Sequence, residues 1–290
     1  MPELPEVETI VNDLKLKVLG RTFIDLWTDA DGLIKRPKKF SDFKKGVAGE
    51  KIQSVRRRGK NIVFELSGGK AMLIHQKMTG HLLLGKWSKA AQGWKPEVFG
   101  PIADDPMNRF LHLIFWLDDG SMLALSDMRK FAKAELWGAK DLRESQETDL
   151  GPEPLEPEFS FEKFKDRLKD KKGKIKQVLM DQEAIAGIGN IYSDEILFQA
   201  KVAPFRSVSS LSDEELKEIY KAAKEILKKA IKARGASVSD FRDLQGEKGG
   251  FQKLAKVYRR EGEKCPECSA IIKREKMGGR SAHFCPNCQI

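Results

Sequence analysis

The sequence begins MPELPEVE, with a proline directly after the initiator methionine and a glutamate beside it. A small second residue is the usual signal for removal of that methionine, and removal would leave Pro2 with a free secondary amine. An α-amino group has a pKa of about 7.7–8.0 in model peptides, so a useful fraction is neutral and nucleophilic near neutral pH. Attack on an aldehyde-like carbon would give an iminium ion, an electron sink held covalently on the protein. Glu3 is then a candidate acid or base.

A purely structural interpretation of the same residues is also open, because proline suits the first turn of a helix. Residues 4–19 carry apolar side chains at helical spacing, and Gly20 ends that pattern. Such a helix would hold the N-terminal amine against a rigid element, as a nucleophile requires.

All four cysteines lie near the C-terminus, in two CxxC pairs with sixteen residues between the pairs. The pairs are Cys265 with Cys268 and Cys285 with Cys288. This spacing is typical of a tetrahedral four-cysteine zinc site, so we expect one structural Zn²⁺ ion. Four protein ligands leave no open position for water, and the ion would instead hold a hairpin that presents Arg280.

Loops in the N-terminal half carry side chains suited to DNA. Lys60 ends a basic cluster at a strand entrance, which is usually a solvated turn but could hold phosphates beside a DNA groove. Met78 lies in a turn after a strand, and Arg129 and Phe131 alternate after another. Apolar and arginine side chains on loops can wedge between stacked bases. Taken singly, Met78 and Phe131 are instead expected in a core.

A glycine-rich turn over residues 186–191 opens a predicted helix and contains Asn190. Free backbone N–H groups at a helix N-terminus can bind a phosphate. The same turn could be only a tight helix–helix connection.

The formal net charge of +10 favours a polyanionic partner, although basic proteins without a nucleic-acid role are common. Half of the excess lies in residues 247–290, which hold ten Lys and Arg against five Asp and Glu. No run of residues approaches a membrane span, and the acidic N-terminus lacks the layout of a signal peptide. We therefore expect a cytoplasmic protein that does not bind membranes.

Element patterns indicate more than one domain. Short β-like runs separated by turn signals over residues 21–137 predict an antiparallel sandwich or barrel, with a long loop or insertion at 86–108. Residues 149–159 hold three prolines and four acidic residues, as a linker would. Residues 160–234 are predicted to be helical, and residues 235–252 to form a flexible loop.

Three motifs together resemble one family, the formamidopyrimidine-DNA glycosylases, which are bacterial repair enzymes for oxidised purines. The motifs are MPELPEVE, GIGNIYSDE and CPEC…GGRSAHFCPNC, which stand in the family's order across the whole chain. The resemblance implies an α+β multidomain fold with an N-terminal antiparallel β-sandwich and flanking helices, a helical helix–two-turns–helix domain and a C-terminal four-cysteine zinc-finger β-hairpin. The expected boundaries are 1–148 for the catalytic domain, 149–159 for the linker, 160–246 for the helical domain with a lesion-capping loop, and 247–290 for the zinc finger.

The resemblance also implies roles for single residues. Pro2 would be the nucleophile and Glu3 the acid. Three residues would hold phosphates around the lesion: Lys60, Asn190 and Arg280. Three residues would fill the gap left by a flipped nucleotide and face the orphaned base: Met78, Arg129 and Phe131. We group Lys60 and Arg280 with Pro2 and Glu3 as catalytic residues.

The implied partner is damaged double-stranded DNA, bound by a monomer in the bacterial cytoplasm. The implied reaction removes 8-oxoguanine and formamidopyrimidines, then cleaves the abasic site by β- and δ-elimination through a Pro2 iminium. Two alternatives remain open: an endonuclease VIII-like glycosylase for oxidised pyrimidines, and a non-catalytic zinc-ribbon DNA-binding protein. Leu4 fits the purine-specific branch better, because the sister group usually reads PEGPE.

Two segments depart from the family's pattern. The usual D-P-R-R-F-G is D-M-R-K-F-A here, at residues 127–132, and this keeps Arg129 and Phe131. Gly249-Gly250-Phe251 stands where G-Y-F is common, in the loop that covers the flipped base in the family. The geometry of the first loop and the lesion preference set by the second are therefore left open.

Overall fold

The computed structural model describes residues 1–91, 93–238 and 240–290, and the side chains of residues 147 and 148 lie outside that description. Within the segments discussed above, Gln92 and Ser239 are thus not described.

Two compact units make up the described chain. The first consists of Met1–Gln146 and Arg234–Gly250, and the second of Glu147–Ala233 and Phe251–Ile290. The structure thus divides the chain differently from the expected domains, because residues 234–250 return to the N-terminal unit. The predicted fold class is confirmed: a β-sandwich with helices, a helical region and a C-terminal hairpin.

The first unit contains a sandwich of two sheets. Its strands are β1 (Phe23–Thr28), β2 (Ile34–Arg36), β3 (Ile52–Arg58), β4 (Asn61–Leu66), β5 (Lys70–His75), β6 (Gly80–Gly85), β7 (Trp87–Ala90), β8 (Gly93–Pro96), β9 (Leu111–Leu117), β10 (Met122–Asp127) and β11 (Lys133–Gly138). The sheet orders are β1-β9-β10-β6 and β2-β11-β5-β4-β3. The expected antiparallel pairing holds except between β2 and β11, which pair in parallel.

Alternate side chains of the two sheets meet in one core, because successive residues of a strand point to opposite faces. Phe64 of one sheet packs edge-on against Phe23 of the other, with ring centroids 6.1 Å apart. Its neighbour Val63 faces outward and packs with Leu142 instead.

Three helices belong wholly or mainly to this unit: α1 (Leu4–Lys17), α2 (Phe40–Val47) and α3 (Ala139–Asp149). The predicted N-terminal helix is confirmed as α1, whose buried face includes Ile10 and Leu14. The core therefore holds in place the helix that begins beside Pro2.

The segment at 86–108, expected to be a long loop or insertion, contains regular structure. Strands β7 and β8 form an antiparallel hairpin, and a 3₁₀-helix follows at Pro106–Phe110. Its Trp94 packs edge-on against Trp27 and Trp116, with ring centroids 5.0 Å and 5.9 Å apart. The tryptophans thus attach the insertion to the outer face of the four-stranded sheet.

The second unit is helical and ends in a two-stranded hairpin. Its elements are α4 (Phe161–Lys169), α5 (Ile175–Met180), α6 (Asn190–Gln199), α7 (Asp213–Lys232), β12 (Lys273–Met277) and β13 (Arg280–Phe284). Ser212 caps α7 in a capping box with Glu215. None of the helices in residues 1–91, 93–238 and 240–290 is long and apolar enough to cross a membrane.

The expected linker is packed into the second unit. The N–H of Gly151 donates to Gln182 O at 2.8 Å, and the N–H of Ala186 donates to Pro152 O at 3.0 Å. A Cβ at Gly151 would lie 2.6 Å from backbone atoms of Ala184, so glycine permits this approach. The proline-rich composition therefore belongs to a docked segment that contains turns.

Candidate functional site

The N-terminus is held by a reciprocal cap at the start of α1. Pro2 is buried, and Glu3 and Glu6 form a capping box in which the N–H of Glu3 donates to Glu6 Oε2 at 2.8 Å. The other carboxylate oxygen, Glu6 Oε1, accepts from the N–H of Ala236 at 2.7 Å. One buried carboxylate thus joins the chain beside Pro2 to the 234–250 segment.

The surroundings of the N-terminus favour a neutral amine. In this chain the free amine belongs to Met1, and burial lowers its pKa below the usual 8.0. The charge of Lys60 lowers the pKa further, while Glu3, Asp240 and Glu6 oppose the shift. Burial is the largest cause, because it disfavours the charged form.

Lys60 follows the tight β3–β4 turn, where Gly59 adopts a left-handed conformation at φ +56°. Lys60 is itself largely buried. The pKa of nearby His75 falls to about 3, mainly through burial and then through Lys77, Lys133 and Lys60. The imidazole is therefore neutral, and its Nδ1 accepts the N–H of Lys77 at 2.9 Å.

The three expected gap-filling residues lie on two loops. Met78 is half-buried, and the Phe131 side chain is 53% exposed, so the core assignment is wrong for Phe131. The Arg129 guanidinium lies 4.6 Å from the centroid of the Phe131 ring. Each loop has a lysine in the left-handed region, Lys77 and Lys130, both at φ +54°. Such strain persists only where the surroundings fix the loop.

The segment expected to be a flexible loop is anchored within the first unit. Arg234 Nη2 pairs with Asp13 of α1 at 2.5 Å and with Asp243 at 2.6 Å. A Cβ at Gly249 would lie 2.4 Å from Gly235 O, so the two chain segments touch there. The described part of 234–250 therefore has a fixed path across the start of α1.

A basic pocket of about 980 Å³ in the second unit contains both residues expected there to hold phosphates. Asn190 begins α6, and Arg280 begins β13. Arg259, Arg274 and Lys276 also line the pocket, and its acidic neighbour is Glu261. Clustered guanidinium and ammonium groups beside a helix N-terminus suit a phosphate-bearing ligand.

A buried ion pair links the elements that carry this pocket. Asp194 Oδ1 pairs with Lys176 Nζ at 2.6 Å, and neither side chain is more than 1% exposed. Asp194 Oδ2 accepts from both the backbone N–H and the Nδ1 of His283, at 3.0 Å and 2.9 Å. One carboxylate therefore connects α5, α6 and β13.

The next residue, Glu195, holds the chain that enters the zinc-finger segment. Its oxygens accept the N–H groups of Lys256, Val257 and Tyr258 at 2.8–2.9 Å. Burial raises the pKa of Glu195, and these three hydrogen bonds oppose that rise. The ring of Tyr258 packs edge-on against His283, which fixes a second wall of the pocket.

The four cysteines meet as the spacing predicts. Their sulfur atoms all lie within 4.8 Å of one another. The Cys265–Cys288 and Cys268–Cys285 sulfur distances are 3.8 Å and 3.4 Å. A tetrahedral ion with metal–sulfur bonds of about 2.3 Å requires sulfur separations near ~3.8 Å. The donor set and its size therefore fit one structural metal ion.

Sequence reasoning missed several residues that position the site. They are Glu6, Asp194, Glu195 and His283. The run IYSDEILF gave a usable signal, because two adjacent acids inside an apolar helix must find partners when buried. Nothing local in the sequence pointed to Ala236 as the partner of Glu6.

Comparison with protein families matches nearly the whole chain. Residues 1–134 match the formamidopyrimidine-DNA glycosylase N-terminal domain, and residues 150–242 match the formamidopyrimidine-DNA glycosylase H2TH domain. Residues 262–290 match the zinc finger found in FPG and IleRS.

Individual proteins are similar over their full length. A formamidopyrimidine-DNA glycosylase of Carboxydothermus hydrogenoformans is 40% identical over 290 residues, covering 100% of both chains. A solved complex between the Lactococcus lactis Fpg and DNA containing an abasic site is 33% identical, covers 99% of both chains and has a TM-score of 0.86. The MutM (FPG) protein from Thermus thermophilus is 35% identical, with a TM-score of 0.84 over 99% of this chain and 98% of that one.

Proposed function

This chain belongs to the formamidopyrimidine-DNA glycosylase family, and we propose that it excises oxidised purines and then cleaves the DNA through an iminium on Pro2. The protein is a DNA glycosylase that acts on damaged DNA. The observation that supports the proposed iminium chemistry is the N-terminus, because burial lowers the pKa of its amine and so favours the nucleophilic form.

The proposed chemistry requires removal of Met1. The Pro2 nitrogen then attacks C1′ of the damaged nucleotide while Glu3 protonates the opening sugar ring, and the base departs with the glycosidic electron pair. The resulting iminium acidifies the C2′ proton. Loss of that proton expels the 3′ phosphate in β-elimination, and δ-elimination expels the 5′ phosphate. The products are a one-nucleotide gap and two phosphate ends.

Residues of both units would bind the DNA backbone. We assign phosphate contacts beside the lesion to Lys60, and further phosphate contacts to Asn190 and Arg280 in the basic pocket. Phosphate contacts position a duplex without reading its sequence, as repair of scattered lesions demands. We also propose that the bound metal is Zn²⁺, held by the four cysteines, and that it supports the hairpin bearing Arg280.

A base within a duplex cannot reach a buried amine, so the damaged nucleotide must leave the stack. Met78, Arg129 and Phe131 are proposed to occupy the vacated space. The exposure of Phe131 and the cation–π pair with Arg129 support this assignment, because these side chains already project as one group.

Borohydride trapping tests the proposal. Duplex DNA carrying 8-oxoguanine opposite cytosine should give a reduced cross-link whose mass maps to Pro2. Pro2→Gly and a variant that retains Met1 serve as controls, and efficient cross-linking by the Met1-retaining protein would refute the nucleophile assignment. A cross-link with thymine glycol but not with 8-oxoguanine would move the substrate to oxidised pyrimidines.

A further inference from the structure

One buried carboxylate connects the two loops that carry the gap-filling residues. Asp127 ends β10 and is fully buried. Its Oδ1 accepts from Thr79 Oγ1 at 2.5 Å and from the N–H of Arg129 at 3.2 Å. Its Oδ2 accepts from the N–H groups of Phe131 and Ala132, both at 2.7 Å. Four hydrogen bonds therefore converge on one side chain.

These contacts span two separate turns. Thr79 directly follows Met78 in the turn between β5 and β6, whereas Arg129 and Phe131 lie after β10. Strands β6 and β10 are paired, with Asp127 opposite Gly80. Asp127 therefore fixes the path of its own loop and, through the Thr79 hydroxyl, ties that loop to the neighbouring turn.

We infer that Asp127 is a positioning residue for extrusion of the damaged nucleotide. It holds the loops so that Met78, Arg129 and Phe131 enter the duplex as one preformed wedge. The inference rests on the proposed function, because it concerns residues assigned there to the gap. Asp127 aligns the three gap-filling residues and itself touches no DNA atom.

The hydrogen-bond pattern requires a carboxylate. Each oxygen of Asp127 accepts at least one backbone N–H. In Asp127→Asn the amide NH₂ must face a backbone N–H in either orientation, so at least one buried donor loses its acceptor. The hydroxyl of Thr79 is less demanding, since it can also accept a hydrogen bond.

The test separates wedge insertion from chemistry. The probe is duplex DNA that contains an uncleavable tetrahydrofuran abasic-site analogue. The neighbouring base that stacks against this analogue is replaced by the fluorescent base 2-aminopurine. Insertion by the wild-type protein should unstack the 2-aminopurine and raise its fluorescence. Asp127→Asn should lose most of that rise, and its single-turnover excision of 8-oxoguanine should fall about tenfold, the effect of one unsatisfied buried donor.

Several variants guard against a general folding defect. Thr79→Val should reduce the fluorescence rise less than Asp127→Asn, and Thr79→Ser should restore it because the hydroxyl remains. Asp119→Asn is the matched control, since Asp119 also accepts a backbone N–H, that of Ser121, in the turn before β10. Trapping on a preformed abasic site should be nearly unchanged in all four, because extrusion costs least where the base is already lost.

Two outcomes would overturn the inference. One is a normal fluorescence rise and normal excision in Asp127→Asn. The other is an equal loss of excision and abasic-site trapping, which would make Asp127 a general structural residue. A wild-type protein that unstacks the probe but forms no cross-link would instead reject the proposed chemistry and leave the role of Asp127 supported.

Discussion

The candidate sites of the two units differ in how they use electric charge. In the first, burial lowers the pKa of the N-terminal amine and of His75, and the positive charge of Lys60 adds to both shifts. In the second, the pocket concentrates four cationic side chains: Arg259, Arg274, Lys276 and Arg280. The buried carboxylate of Asp194 pairs with Lys176.

This difference matches two separate tasks. An amine must lose its proton before it can attack carbon, and a buried site favours that form. Phosphate binding needs fixed positive charge, which arginine supplies at any physiological pH. The comparison predicts that chemistry and anion binding can be damaged independently.

The largest expected effect comes from replacing the nucleophile. Pro2→Gly should lower the single-turnover excision rate by about 10³-fold or more, as loss of a catalytic unit does in other enzymes. Its affinity for lesion DNA should stay within a few-fold of the wild type, because the basic pocket is untouched. Quench-flow excision and fluorescence-anisotropy binding would measure the two quantities. A parallel loss of affinity would show that the tasks are not separable.

The next effect concerns the metal. Cys268→Ser should reduce metal affinity by more than the roughly 10–100-fold seen for outer-shell partners, because a ligand itself is lost. The hairpin bearing Arg280 should then loosen, and DNA binding should weaken. Metal content by mass spectrometry and DNA affinity would be measured together, with Ser269→Ala as the control. Normal lesion binding by a metal-free variant would contradict the structural role of the ion.

The buried pair gives a smaller effect on stability. Asp194→Asn leaves Lys176 without its anionic partner, and breaking a buried pair costs about 3–5 kcal/mol. The pair between Arg206 and Glu215, whose side chains are each 28% exposed, should contribute only about 0–1 kcal/mol, so Glu215→Gln is the control. Denaturant unfolding would measure both. Equal losses of unfolding free energy in the two variants would mean that the buried pair beneath the pocket stabilises the protein no more than the exposed pair does.

The sequence predicted interactions between residues that are close along the chain, and it did not predict those between residues far apart along the chain. Pro2, Glu3 and the four cysteines were found because their chemistry lies within short motifs, and the zinc pattern even set the ligand geometry. The bond from Ala236 to Glu6 joins residues 230 apart, and that from His283 to Asp194 joins residues 89 apart. Local periodicity carries no information about such pairs.

The glycine- and proline-rich composition of two segments led to expectations that the structure does not support. The glycines of 235–252 were interpreted as flexibility, but Gly249 is required by a close approach of two backbone segments. The prolines of the expected linker likewise mark a docked segment that contains turns. Glycine and proline report which backbone geometry is allowed, while packing decides whether that geometry is held.

The smallest expected effect tests the neutral state of His75 in the first unit. The pKa of folded His75 is lowered to about 3, from 6.5, so between these values the unfolded chain binds more protons. Its contribution is fully present above pH 6.5 and is lost as the pH falls towards 3, at up to about 1.4 kcal/mol per pH unit. Stability should therefore fall by about 1 kcal/mol between about pH 6.5 and 5.5 from this group alone.

His75→Asn isolates that contribution, because its Oδ1 can still accept the N–H of Lys77 but cannot be protonated. Burial also lowers the pKa of His81, so the wild-type profile contains a second contribution of the same sign. The difference between the two unfolding profiles removes it. The variant should lose less stability on acidification, although it starts lower at about pH 7.5. Parallel profiles would mean that His75 is charged in the folded protein, and the contrast between the neutral imidazole in the first unit and the cationic pocket in the second would then fail.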